Sequence, residues 1–370
     1  MARSTAKRKP RMNSGLAVIR AVARAYPSLA ICLVVVACSP NAVPVSHPTP
    51  KKNKGVAETE LHQGPVTDYV AAAGLRWLVN INPSRLLSAA PQQIRKLVSD
   101  PALHAFSQDS AIDLQTTSHL VIAKYAYSTV YVVRRRNLGA IRKRFVSRLV
   151  TDPIVKQRGE GLVELSGVSG ATPMALLTIE PNTALFSIGS RRPTTVAAMY
   201  ARRRLSSPSV LHGVGLKELA HAANDNAAVT MFFLPGNHED DRLGALSTRW
   251  LGLRADIIPS ADRTKLTLTL WGDWEPSSEN ALSSVLTSVR DSAMGELLAW
   301  PEAASPIRRG GLLKTSMQWD TQRLIDGLVV LLRGELTDLA GLALGRKTAQ
   351  SPTTNDIDIR SPTANPGSNE

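Results

Sequence analysis

HLVIAKYAYSTVYVVR, residues 119–134, holds two apolar runs around a short connection. His119 to Tyr125 and Thr129 to Arg134 are rich in β-branched and aromatic side chains, and Ala126-Tyr127-Ser128 joins them. That pattern predicts a β-hairpin. Downstream, Asn137 can cap a helix whose Leu138, Ile141, Phe145, Val146 and Leu149 recur at helical spacing, with Arg142, Lys143 and Arg148 on the opposite face. A meander then follows over Gly161 to Ser166, Pro173 to Glu180 and Thr183 to Ile188, with a turn at Pro181-Asn182. Pro193 suits the first turn of a helix that runs to Arg204. Upstream, Leu75 to Ile81 reads as a strand, Asn82-Pro83-Ser84 as a helix-starting turn, and Gln92 to Val98 and Ala102 to Phe106 as helical pieces.

The order begins again further on. Ala228 to Leu234 is a strand stopped by Pro235-Gly236, Asp241 to Trp250 is helical, and Leu253 to Ile258 with Lys265 to Trp271 make a second hairpin. Leu266, Leu268 and Leu270 alternate with Lys265, Thr267 and Thr269, which predicts one buried and one wet face. A helix follows, capped by Ser277 or Ser278, then a strand near Leu312 to Trp319 and a helix capped by Asp320. Strands in pairs with interspersed helices predict an α+β protein of two related halves, each a mainly antiparallel sheet with helices packed on one face. The layout is similar to that of membrane-anchored bacterial proteins with paired α+β halves, where phrases like Ser187-Ile188-Gly189-Ser190 close a strand before a helix. The expected organisation is a leader at 1–37, a tether at 38–64, domains at 65–210 and 211–345, and a polar tail at 346–370.

The amino end carries the clearest functional signal. Residues 1–38 hold seven arginines and lysines and no acid, and end in a nine-residue apolar run from Leu29 to Ala37. A positive amino end, a short apolar stretch and a small residue at its close make a secretory leader. Nine residues are too few to span a bilayer, which takes about 20 in a helix. The close of the run, Val35-Val36-Ala37-Cys38, resembles the lipobox of bacterial lipoproteins. The resemblance implies cleavage before Cys38, a diacylglyceryl thioether on its sulfur and an acylated new amino group. Several acyl chains, at about 0.8 kcal/mol per buried methylene, would hold such a chain firmly on a membrane. Ser39, where a retention signal would place Asp, implies the outer membrane rather than the inner one. Pro40 to Gly64 has no apolar periodicity and reads as a flexible tether.

Composition narrows the rest. The net charge is +14, of which about +7 survives removal of the leader. The remaining basic residues come in short runs such as Lys51, Lys52 and Lys54, Arg134 to Arg136 and Arg202 to Arg204. Aromatics make up 5% of the chain and give no stacking platform between those charges, so nucleic acid is not expected as a partner. The expected partners are the membrane, through the lipid, and an envelope protein, lipid or anionic polymer. Cys32 and Cys38 are the two cysteines, both at the leader, so the expected mature fold has no disulfide, thiol nucleophile or cysteine metal site.

Candidate chemistry is sparse. Asn237-His238-Glu239-Asp240-Asp241 is the densest set of ligand-type side chains, and His238 with Glu239 or Asp240 could serve a metal or acid-base site of a surface hydrolase. The same residues make an ordinary helix start, and no second histidine stands at ligand spacing. Ser190, Arg191 and Arg192, before a helix, could hold an anion with backbone amides and two guanidiniums, or could simply cap it. Gly167-Val168-Ser169-Gly170 departs from the nucleophile elbow, and Gly159-Glu160-Gly161 precedes a strand where a phosphate loop precedes a helix. Trp271, Trp274, Trp300 and Trp319 read as core before groove. No cofactor is expected, and a non-catalytic binding protein is the expected class.

Overall fold

A computed structural model describes residues 61–330, apart from 100–103, 105–106, 108–110, 206–209, 213–215, 222–225, 236–245, 247–249 and 328. The hairpin forms where the sequence places it, as β2 (Thr117–Tyr125) and β3 (Thr129–Arg135). β1 (Leu75–Ile81) pairs antiparallel with β2. After β3 come the helix α3 (Gly139–Ser147), then β4 (Ile154–Gly159), β5 (Leu162–Ser169), β6 (Thr172–Ile179) and β7 (Thr183–Ile188). Two short helices, α1 (Pro83–Ala89) and α2 (Pro91–Val98), lie between β1 and β2. Asn82 starts α1 by accepting the Arg85 N–H at 3.2 Å, as an N-cap should.

The remainder contributes α4 (Arg192–Ala201), α5 (Lys217–His221), β8 (Val229–Phe233), β9 (Trp250–Ile258) and β10 (Arg263–Gly272). Next are α6 (Ser278–Arg290), α7 (Ala293–Leu297), β11 (Ile307–Arg309) and β12 (Leu312–Asp320). Asp320 accepts the Arg323 N–H at 2.9 Å and so caps the helical residues that follow.

The expectation of two halves with their own sheets is overturned. The twelve strands of the described residues form one antiparallel sheet in the order β11-β12-β10-β9-β8-β1-β2-β3-β7-β6-β5-β4. The join is the β1–β8 ladder, Trp77↔Phe233 through Ile81↔Val229. The physical reason is burial. Val79 of β1 and Met231 of β8 sit in one apolar cluster that runs without a break from Phe145 and Phe186 to Leu268 and Trp319. Splitting the sheet there would expose a central ladder and the middle of that core. The segments 65–210 and 211–345 therefore contribute strands to a common sheet.

Helices on one face only is also overturned. α3 and α6 cover the first face with Ile141, Phe145, Leu282, Leu286 and Val289. The other face carries Leu78, Val121, Val132, Leu177 and Leu185 under the 3-10 turn Val66–Tyr69 and Ala197, Ala198 and Ala201 of α4. Strands apolar on both faces need cover on both, and each fully buried aliphatic side chain contributes about 1.5–3 kcal/mol. The predicted wet face of β10 is dry as well: Thr267 and Thr269 are buried. α5 packs on that side of β9 and β10. There the buried Arg254, 1% exposed, grips Asp256, 2% exposed, through two parallel bonds. Its third donor goes to the Leu219 carbonyl of α5 at 2.6 Å.

Candidate anion-binding cleft

Antiparallel pairing brings the start of β2, the end of β3 and the start of β7 to one end of the sheet. Thr117 faces Arg135, His119 faces Arg134, and Arg134 faces Thr183. Between Thr117 and His119 the register slips, and the extra residue is Ser118. Its hydroxyl donates to the Arg134 carbonyl at 3.1 Å. At this end opens a cleft of about 490 Å³, lined by Thr116, Ser118, Arg134, Arg135, Arg136, Asn137 and Asn182. The size suits a small ligand or the head of a larger one.

Backbone carbonyls hold two of the three arginines. Arg134 donates to the Gly64 carbonyl at 2.5 Å, and Arg135 donates to the Ala111 carbonyl. The Arg135 N–H donates to the Asn182 carbonyl at 2.7 Å, which ties β3 to the β6–β7 turn. Arg136 is exposed. Asn137 accepts the Gly139 N–H at 2.9 Å and starts α3, so the run ends on a fixed corner. Among the described residues no carboxylate pairs with Arg134, Arg135 or Arg136 and none lines the cleft. Asp113, close in sequence, is turned to the Gln115 N–H and the Thr116 hydroxyl.

The strand pair beside the cleft also carries unspent hydrogen-bonding capacity. Among the described residues, Thr117 Oγ1, His119 Nδ1 and Arg134 Nε are buried with no partner. Buried polar groups are ordinarily paired, so this concentration on one strand pair is a departure from the usual accounting. Burial, with Arg134 and Arg85 nearby, lowers the His119 pKa below its ordinary value. Burial first, and then the positive field of the two arginines, disfavour the charged imidazole beside the cleft. Guanidiniums present planar forks of donors that match carboxylate and phosphate oxygens, and hydroxyls and amides can complete the shell.

The residues singled out from sequence fall elsewhere. Ser190 Oγ accepts the Arg192 N–H at 3.1 Å, which is a capping bond. The start of α4 already faces a carboxylate of the chain: Glu164 is buried, 2.9 Å from the Thr194 hydroxyl and 2.5 Å from Arg158. Cys38, His238, Glu239 and Asp240 lie outside the described residues, as do the leader, most of the tether, the helical pieces at 102–106 and 241–249 in large part, and the tail. Trp250 itself is the first residue of β9. Trp274, Trp300 and Trp319 are buried, with Trp300 and Trp319 edge to face at 5.0 Å. Among the described residues no three His, Cys, Asp or Glu side chains group as a metal site, and no helix is long and apolar enough to cross a membrane. Arg134 to Arg136 read from sequence as solvated surface. The signal that distinguishes them is position: a cationic run closing one strand of a hairpin lies beside the hydroxyls, Thr116 to Ser118, that open the other.

The sequence matches no family model and no curated protein. The fold is similar to crystal structures of TP0453. Crystal form III overlays with a TM-score of 0.45 at 11% identity, covering 73% of this chain and 99% of that one. Crystal form I gives 0.42 at 12% identity, covering 72% and 97%.

Proposed function

We propose that this chain is the precursor of a non-catalytic envelope lipoprotein, fixed to a membrane through Cys38, whose folded part binds an anionic group in the Arg134–Arg136 cleft. The observation that carries the binding reading is the cleft itself, lined by Arg134, Arg135 and Arg136 with Thr116, Ser118, Asn137 and Asn182 and with no acid in its lining. The anchor reading rests on Val35-Val36-Ala37-Cys38 after a basic, then apolar, leader. Together they favour a phosphate or carboxylate of an envelope lipid, polymer or protein as ligand, met at the outer membrane.

Mass spectrometry of the amino-terminal peptide from native membranes tests the anchor. A triacylated Cys38 is the expected result, and a membrane-bound, normally processed C38S variant would overturn it. Calorimetry with inorganic pyrophosphate tests the cleft. Losing one charge-assisted contact of about 1.5–3 kcal/mol should weaken binding by about tenfold or more in R136A. Equal affinity in wild type and variant would sink the assignment.

A further inference from the structure

At the β4 edge of the sheet, a second surface lies outside the cleft. Val146 is 37% exposed, Val150 71%, Ile154 50% and Val155 61%, all within ten residues of chain. Three of them are brought together by the sheet. The Val150 N–H donates to the Val168 carbonyl at 2.9 Å, while Ile154 faces Ser166 and Val155 faces Leu165, so all three lie along the end of β5. Leu149 packs over Gly167 so closely that a Cβ there would collide with it, which presses the end of α3 onto the same strand. Four exposed aliphatic side chains thus lie at one edge of the sheet, with Ile154 and Val155 on opposite faces of its outermost strand, while the other apolar residues of the sheet are mostly covered.

The rim is ringed by cations. Lys143 and Arg144 of α3 and Lys156 of β4 are exposed among the aliphatics, and Asp152 is the acid in their midst. This charge decides the occupant. A second copy pairing its β4 with this one would bring like charges together, the usual device by which an edge strand refuses a partner. Aliphatic side chains set among cations are instead complementary to the interface of an anionic bilayer, where acyl boundary and headgroup charge lie within a few ångströms. We infer that the β4 edge, with the end of α3, is a docking surface for an anionic phospholipid membrane. Contact here would lay the sheet edge-on against the bilayer and need no lipid on Cys38.

The test uses the full chain with Cys32→Ser and Cys38→Ser, and an environment-sensitive fluorophore on Val150→Cys or Val155→Cys. Vesicles of phosphatidylcholine alone are compared with vesicles that also contain phosphatidylglycerol. A blue shift at 150 and 155 on the anionic vesicles only is expected. It should be absent from the same probe on Tyr127→Cys, the exposed tip of the β2–β3 hairpin. Lys143→Glu with Arg144→Glu should weaken the vesicle response by about tenfold or more, since each surface cation has a sizeable share in attraction to anionic lipid. Unchanged circular dichroism confirms that these variants fold. No shift at the rim, the same shift on neutral vesicles or at 127, or a shift that follows protein concentration without lipid would each overturn the inference. The last outcome would mark a protein–protein edge.

Discussion

On the face opposite α3 and α6, the two sides of the β1–β8 ladder are built differently. Towards β7 the sheet meets α4 and the Val66–Tyr69 turn mainly through apolar side chains such as Val121, Val132, Leu177 and Leu185, with Glu164 and Thr194 as a buried polar contact at the start of α4. Towards β10 it meets α5 through Arg254 and Asp256, with Thr230 donating to Asp256 at 3.2 Å and buried Thr267 and Thr269 beside them. Apolar layers tolerate small slips of a helix. A bidentate ion pair whose third bond is to one carbonyl of α5 does not, so the polar side fixes position while the apolar side supplies most of the burial energy.

The largest effect expected from this contrast is at Asp256. D256A strands the Arg254 charge in a dry interior and should lower unfolding stability by about 3–5 kcal/mol in denaturant titration. Arg254→Met with Asp256→Leu makes this side resemble the other, and should return stability close to wild type while loosening α5, read as faster amide exchange there. If D256A costs nothing, the pair has no structural part. Next in size, L185A on the apolar side should cost about 3 kcal/mol, and no second substitution at a polar group should rescue it.

The smallest effect is a pH slope. His119 is held below its ordinary pKa of 6.5, first by burial and then by Arg134 and Arg85. As pH falls through 6.5 the unfolded chain takes up a proton that the native imidazole refuses, so stability declines below that pH until the native group also protonates. H119Q should flatten that part of the stability–pH curve. Bound anion in the cleft should flatten it too, by offsetting the field of Arg134.

Much of the local structure was legible. Alternation and turn residues placed β1, the β2–β3 hairpin and the β5–β7 meander, and Asn82, Asn137 and Asp320 sit at helix starts as their side chains suggest. β4 went unread because an edge strand exposed on both sides, IVKQRG, shows no period. The single sheet was illegible for another reason. β1 meets β8 across roughly 150 residues of chain, and a repeated strand order reads alike whether its two parts pair or stand apart. The dry threonines of β10 escaped because alternation reports polarity, not what covers it. The cleft was hidden because three arginines in a row resemble any solvated run until the hairpin sets them against Ser118 and Asn182.

One feature of the topology bears on force. β1 is the first strand among the described residues, yet it is flanked by β2 on one side and β8 on the other, with strands of the sheet beyond both. A pull on residues before 61 first meets the segment that the Gly64 carbonyl and the His62 N–H pin to Arg134 and Ala201. It then enters β1 along its own axis. Two ladders are loaded in shear at once, and many hydrogen bonds must fail together. A pull entering at β4 would instead peel an outer strand one bond at a time. If the chain is held at its amino end, as proposed, a load arrives where two ladders resist it together.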